Sequence, residues 1–224
     1  MRSLQSAVVA MPATSVIATN KLIRNTYTLL AMTLLFSAMT AGLSMAVGAP
    51  YLGVLPTLIG YFGLLYLTTR LRNSAWGIAA VFALTGFMGF TLGPILSMYL
   101  TAFQNGAQLV MLAMGGTGAI FLGLSAYTLQ TRSNFSYMGG FLTAGVLVAF
   151  FAGLGAIFFQ VPALMIAVSA MFVLLMAGMI LYQTSELVHG GETNYILATV
   201  GLYVSIYNLF TSLLQLLGVF GGDD

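Results

Sequence analysis

Long apolar stretches, separated by short polar or turn-forming breaks, are the main pattern of this chain. No charged residue occurs within residues 27–69, 73–131, 133–185 or 193–222. A membrane-spanning helix needs about 20 apolar residues, within a range of roughly 17–25. Segments of suitable length lie at Tyr27–Val47, Tyr51–Thr69, Gly77–Leu100, Ala107–Leu129, Tyr137–Phe159, Val161–Tyr182 and Tyr195–Phe220. The pattern therefore predicts an all-α polytopic membrane protein with seven transmembrane helices.

The amino-acid composition supports this prediction and excludes several classes of function. Charged residues make up 4% of the 224-residue chain, whereas a typical soluble domain has about 25%. The lack of cysteine and the single histidine disfavour thiolate and multi-histidine metal centres. The sequence has no glycine-rich nucleotide-binding motif, and no nucleophile–base pair is expected at membrane depth. We therefore expect no enzymatic activity, no cofactor, no bound metal and no nucleic acid partner.

The basic residues predict how the chain is oriented. A seven-helix threading brings all six to one side of the membrane: Arg2, Lys21, Arg24, Arg70, Arg72 and Arg132. Because loops rich in Lys and Arg face the cytoplasm, we expect a cytoplasmic N-terminus and an external C-terminus. The chain then divides into a flexible cytoplasmic tail (residues 1–24), a seven-helix transmembrane domain (residues 25–220) and a short external acidic tail (residues 221–224).

Glycine spacing in the third segment predicts close helix packing. Gly89 and Gly93 form a GxxxG motif, and such small residues let membrane helices approach closely. Packing within the bundle is the first interpretation, and a dimer interface is the alternative. Pro94 follows directly and is expected to kink the third helix, because it removes a backbone donor.

Polar residues are concentrated towards the end of the chain. They are Gln183, Thr184, Glu186, His189, Glu192 and Asn194, followed by Ser205, Asn208 and Gln215 within the seventh segment. Polar groups at membrane depth are costly and usually face a bundle interior or a cavity. The seventh helix is therefore expected to be central. In the simpler alternative, Ser205 and Asn208 only form hydrogen bonds with neighbouring helices.

Several of these segments together resemble the Bax inhibitor-1 (transmembrane Bax inhibitor motif) family, over essentially all of residues 21–224. The resemblance rests on Arg24-Asn-Thr-Tyr27, Leu92-Gly-Pro-Ile-Leu96, Leu181-Tyr-Gln-Thr184, His189-Gly-Gly-Glu-Thr-Asn-Tyr-Ile196 and Leu202-Tyr-Val-Ser-Ile-Tyr-Asn-Leu-Phe210. The His189 stretch is similar to the bacterial YccA branch, described as a modulator of the membrane AAA protease FtsH. The resemblance implies a bundle whose seventh helix is enclosed by the other six, in the bacterial inner membrane.

The resemblance also implies a candidate site, from which this chain departs. Channel-like family members pair an acidic residue at the end of the sixth helix with one in the seventh, and a basic residue ending the second helix assists. Here the matching positions are Gln183, Ser205 and Arg70. Because neither Gln nor Ser titrates near neutral pH, a proton-sharing pair is missing. Gln183 and Ser205 are instead expected to hydrogen-bond and hold the two helices together.

Glu186 and His189 are a candidate substitute for the missing pair. They follow Gln183 at three-residue intervals, which places them on one face if the sixth helix continues that far. Histidine changes charge near physiological pH, so the two residues, together with Arg70 and Asn208, are candidate gate or sensor residues. The alternative is an ordinary solvated loop before Gly190.

Two functions of different classes follow. In the first, the chain binds and inhibits FtsH as a poorly extractable substrate, engaged through a tail that carries Arg2, Lys21 and Arg24; the partners are FtsH, its associated membrane proteins and the lipid bilayer. In the second, the chain is a pH-sensitive calcium or cation leak channel. The missing acidic pair disfavours the channel.

Overall fold

Helices account for all regular secondary structure in the computed structural model, which describes residues 13–222, with side chains from Thr19 onward. They are α1 (Ala13–Ala46), α2 (Val54–Leu71), α3 (Trp76–Ala102), α4 (Gly106–Thr131), α5 (Gly139–Phe158), α6 (Pro162–His189) and α7 (Tyr195–Gly221), with one 3₁₀ turn at Ser136–Met138. All seven helices are long and apolar enough to cross a membrane. The predicted seven-helix membrane protein is confirmed.

The first helix begins much earlier than predicted. The structure starts α1 at Ala13 rather than at Tyr27, so residues 13–24, assigned above to a flexible tail, are helical. The polar residues around Lys21 end the apolar stretch but do not end the helix, because no glycine or proline lies between Ala13 and Tyr27. Arg2 and the Asp223–Asp224 end lie outside the described residues.

The sixth helix ends later than predicted. It continues past Tyr182 to His189 and stops at Gly190, whose φ of 79° is left-handed and whose backbone N–H bonds to the Glu186 carbonyl. Glycine adopts this conformation without a steric penalty and commonly ends helices in this way. The extension adds Glu186 and His189 to the helix.

The most apolar part of the seventh helix has the largest buried share among the seven spans. Its packing partners are α1, α3, α4 and α6, whereas α2 packs mainly on α3, and α5 mainly on α6. The resemblance implies six enclosing neighbours; among the described residues, four helices flank α7 closely and two lie outside them. Apolar side chains such as Leu55 and Leu174 are 73% and 75% exposed on the outer surface, where a bilayer supplies the apolar surroundings.

Small residues join α1 to α3 along a surface that we call the α1–α3 seam. A Cβ atom on Gly89 would clash with the Ser37 carbonyl and Thr40 Oγ1, and one on Gly93 would lie 2.8 Å from the Ala41 carbonyl oxygen. The GxxxG motif therefore packs within the chain, the first of its two interpretations. Helix α3 continues through Pro94 to Ala102; the kink at Pro94 stays a prediction.

The connections that carry the basic residues meet at one end of the bundle, which we call the basic end. Five exposed side chains lie there: Lys21, Arg24, Arg70, Arg72 and Arg132. Hydrogen bonds tie the α4–α5 connection to the end of α6 and the α2–α3 connection to Asn194, just before α7. Exposed aromatic residues Tyr66, Trp76 and Tyr137 surround this end, as is typical of a membrane–water interface.

Candidate functional site

The start of α7 is fixed to the basic end by Asn194. Its Oδ1 accepts hydrogen bonds from the backbone N–H groups of Ile196 (3.0 Å) and Leu197 (3.2 Å), which is the geometry of a helix N-cap. Its Nδ2 donates to the Arg72 carbonyl at 3.1 Å and to Asn73 Oδ1 at 2.9 Å. Asn194 therefore orients α7 against the α2–α3 connection.

Gln183 and Ser205, at the two family acidic positions, face each other across α6 and α7. Ser205 Oγ donates to Gln183 Oε1 at 3.1 Å, as expected above. Gly201 makes room for the amide, because a Cβ there would lie 3.2 Å from Gln183 Nε2. Arg70 is exposed at the end of α2, and the structure gives it no hydrogen bond to either residue within the described part of the chain. The pair links two helices without an ionisable group.

Tyr203, just over one turn before the middle of α7, is a buried side chain whose hydroxyl joins α7 to two other helices. It is 1% exposed. Its hydroxyl donates to the Thr85 carbonyl of α3 at 3.2 Å and lies 2.6 Å from Ser37 Oγ of α1. With the phenol proton directed to Thr85, the Ser37 hydroxyl donates to the phenol oxygen. Tyr203 thus ties α7 to both helices of the α1–α3 seam.

Glu186 and His189 bind the α4–α5 connection rather than each other. Ser136 Oγ donates to Glu186 Oε1 at 2.7 Å. His189 Nε2 lies 3.1 Å from the Arg132 carbonyl oxygen, and Nδ1 lies 2.9 Å from that of Ser185. Because a neutral imidazole has one N–H donor, it hydrogen-bonds only one of these carbonyls; a protonated ring donates to both.

A cavity of about 190 Å³ with both polar and apolar walls lies between α5, α6 and α7, towards the opposite end from the basic residues. Asn208, Thr211, Ser212 and Gln215 line it at the spacing of one helix face. Ser169 Oγ of α6 donates to Gln215 Oε1 at 2.7 Å. Asn208 Nδ2 donates to the carbonyl of Val204 in its own helix.

The structure describes two of the three residues proposed for protease engagement. Lys21 and Arg24 are exposed on the first turns of the α1 span at the basic end. Arg2 lies outside the described residues. The structure does not bring Lys21 or Arg24 together with Gln183 and Ser205.

Known proteins match this chain over nearly its whole length. The family profile described as "Inhibitor of apoptosis-promoting Bax1" matches residues 19–222. The Escherichia coli K12 protein named modulator of FtsH protease YccA is 49% identical over 210 residues, 94% of this chain and 95% of the relative. A Pseudomonas aeruginosa protein of uncharacterised function is 56% identical over 202 residues, 90% of each chain. The Golgi anti-apoptotic protein of vaccinia virus is 35% identical over 173 residues, 77% of this chain and 70% of the viral protein.

The seven apolar helices and the polar face of α7 define a multi-pass membrane protein. The family match and the similarity to these relatives assign it further: the chain belongs to the Bax inhibitor-1 family.

Proposed function

We propose that this protein is a multi-pass inner-membrane protein that binds and slows a membrane AAA protease of the FtsH type. One observation carries the proposal: 49% identity, over 94% of the chain, to the Escherichia coli protein named modulator of FtsH protease YccA. A second Escherichia coli relative with the same identity is named inner membrane protein YccA. The proposal includes a cytoplasmic N-terminus, supported by the basic residues gathered at one end.

The proposed mechanism is engagement without extraction. The protease grips the N-terminal segment that precedes α1 and pulls on α1 from the basic end. Two sets of contacts hold α1 in the bundle, namely the α1–α3 seam and the hydrogen bond from Ser37 to Tyr203. Because small residues place the helix backbones in direct contact, pulling on α1 has to break many contacts at once. A chain that is engaged but slowly extracted occupies the protease and delays its other substrates.

Co-reconstitution with FtsH tests this proposal. The readout is the rate at which FtsH degrades an unrelated membrane substrate, with and without the full chain. Since α1 begins at Ala13, removal of residues 1–12 deletes the segment that the protease is proposed to hold and leaves the helix intact. A chain with residues 2–12 in scrambled order keeps the tail length and is the matched control.

The full chain is expected to slow degradation and the truncated chain to restore the rate. A degradation rate that the full chain leaves unchanged would overturn the proposal. Equal slowing by the full and truncated chains would retain the modulator and reject the tail as its point of engagement. Charge-neutral Lys21→Gln and Arg24→Gln test whether the exposed basic residues contribute.

A cation leak is the second candidate function, and the polar side chains of Asn208 and Gln215 on one wall of the α5–α6–α7 cavity favour it. The hydrogen-bonded pair of Gln183 and Ser205 lacks the charge of the channel-like members. The double variant Gln183→Asp, Ser205→Asp introduces that charge, and Gln183→Asn, Ser205→Asn is its uncharged control of the same shape. Calcium flux into dye-loaded vesicles through the unaltered chain supports a leak. Flux through the Asp variant alone identifies the unaltered chain as a closed relative.

Sensing of pH by Glu186 and His189 stays a prediction. Both side chains hold the α4–α5 connection, and protonation of the imidazole gives His189 a second donor. Inhibition of FtsH measured from mildly acidic to mildly basic pH tests the prediction, with Glu186→Gln and His189→Gln as variants. A pH profile that neither substitution alters contradicts it.

A further inference from the structure

A deep apolar crevice opens sideways in the bundle, at membrane depth. It has a volume of about 540 Å³ and walls from α1, α3, α4 and α7. Helices α1 and α4 form its two lips; they make few contacts with each other, among them the ring pair Tyr27–Phe121 with centroids 6.1 Å apart. The lips include small residues, among them Ala38 and Gly42 on α1 and Gly118 on α4. Around Gly42 and Gly118 the described side chains leave the opening uncovered.

The crevice continues the lipid-facing surface of the protein. Leu35 on α1 and Met114 on α4 line it and are also 68% and 59% exposed. The surroundings of such residues in a membrane-spanning helix are hydrocarbon chains. The mouth of the crevice is thus continuous with the surface that the bilayer covers.

Among the described residues, the floor of the crevice has no polar side chain that needs a hydrogen bond from a ligand. Its polar side chains already have partners: the Tyr203 hydroxyl bonds to Ser37 and to the Thr85 carbonyl, Thr117 Oγ1 donates to the Ala113 carbonyl at 2.7 Å, and the Tyr207 hydroxyl hydrogen-bonds Thr91. The remaining walls are almost entirely apolar side chains, such as Leu96 and Ile206. A ligand with hydrogen-bonding groups gains nothing here and loses its hydration.

We propose that an acyl chain of a bilayer phospholipid occupies this crevice. A volume of 540 Å³ is far larger than the share of about 30 Å³ that one water takes in the liquid. Water is disfavoured between apolar walls, and an empty space forfeits the dispersion contacts of every atom that lines it. A flexible hydrocarbon chain restores those contacts and enters directly from the bilayer. The inference does not depend on the proposed function.

Fluorescence quenching by brominated lipid tests the occupant. The single tryptophan, Trp76, is first replaced in Trp76→Phe, and a reporter is then placed in the crevice by Phe210→Trp. The protein is reconstituted in vesicles of dioleoylphosphatidylcholine or of the same lipid with brominated acyl chains. A second reporter, Phe121→Trp, is used in the same way, so that the result does not depend on the folding of one variant.

Two glycines allow the crevice to be closed from both lips. A Cβ at Gly42 or at Gly118 has no heavy atom within 4 Å, so Gly42→Leu with Gly118→Leu fills open space without a clash at Cβ. The matched control is Gly63→Leu with Gly123→Leu, at exposed glycines of α2 and α4 that also have no atom within 4 Å and do not line the crevice.

Brominated chains are expected to quench both reporters when the crevice is unaltered and in the control variant Gly63→Leu, Gly123→Leu. Most of that quenching is expected to be lost when Gly42→Leu and Gly118→Leu close the crevice. Reporters that brominated chains leave unquenched would overturn the proposal, and red-shifted emission would then identify water as the occupant. Equal quenching in the closed and control proteins would also overturn it, because the chain would then reach the reporter by another route. Size-exclusion chromatography of each variant establishes that it is folded.

Discussion

One methyl group, added by Gly89→Ala, tests how tightly the α1–α3 seam is packed. A Cβ at Gly89 would lie 2.7 Å from Ser37 Oγ and closer still to the Ser37 carbonyl oxygen and Thr40 Oγ1. Carbon contacts are favourable at about 3.5–4.0 Å, so α1 and α3 have to part by roughly 1 Å or distort. Overpacking of this kind costs about 1–3 kcal/mol. The same movement draws Ser37 away from the Tyr203 hydroxyl, with which it shares a hydrogen bond of 2.6 Å.

The matched control is Gly123→Ala, on the exposed face of α4, where a Cβ meets no atom within 4 Å. Both variants gain the same helix propensity, about 1 kcal/mol, so their difference isolates the clash. We expect Gly89→Ala to have a free energy of unfolding lower than that of Gly123→Ala by about 1–3 kcal/mol. Unfolding by titration with SDS in mixed micelles, followed by circular dichroism, measures it. Equal unfolding free energies would refute close packing at the seam.

Three further substitutions test the contacts around α7. Tyr203→Phe removes the hydroxyl that bonds Ser37 and is expected to cost about 0.5–1.5 kcal/mol; a double-mutant cycle with Ser37→Ala measures the coupling, and zero coupling contradicts the bond. Asn194→Ala removes the N-cap of α7, at about 1 kcal/mol, and should speed amide exchange in the first turn; Asn194→Asp keeps the capping oxygen, and equal exchange in the two variants argues against the cap. His189→Ala removes one of the side chains that hold the α4–α5 connection, beside Glu186 and Ser185, and should accelerate tryptic cleavage after Arg132; an unchanged cleavage rate contradicts the attachment by His189.

The number and order of the spanning helices could be predicted from the sequence, because the bilayer requires long apolar runs and this chain has seven. The start of α1 and the end of α6 could not. The polar residues around Lys21 and after Tyr182 mark where the apolar run stops, whereas helices α1 and α6 continue through them. A helix ends where its backbone geometry changes, as at Gly190, and that point is set independently of the membrane boundary.

The hydrogen bond between Gln183 and Ser205 could be anticipated because the family pattern pairs those two positions. The partners of Tyr203 could not, since Ser37 and Thr85 are distant in sequence and each is an ordinary small polar residue in an apolar helix. Asn194 carried a recognisable signal: an Asn directly before an apolar helix is a preferred N-cap. The crevice between α1 and α4 left no signal, because a small residue that faces a gap and one that faces a neighbouring helix look alike in sequence.

The central claim is that tight packing of α1 turns a protease substrate into a protease modulator. The most direct test measures how fast FtsH degrades this chain itself in proteoliposomes, comparing Gly89→Leu, which forces the α1–α3 seam apart, with Gly123→Leu, which meets open space. The proposal predicts that the Gly89 variant is degraded faster and no longer protects a second substrate, while the Gly123 variant behaves like the unaltered chain. Equal degradation and equal protection by the two variants would contradict it.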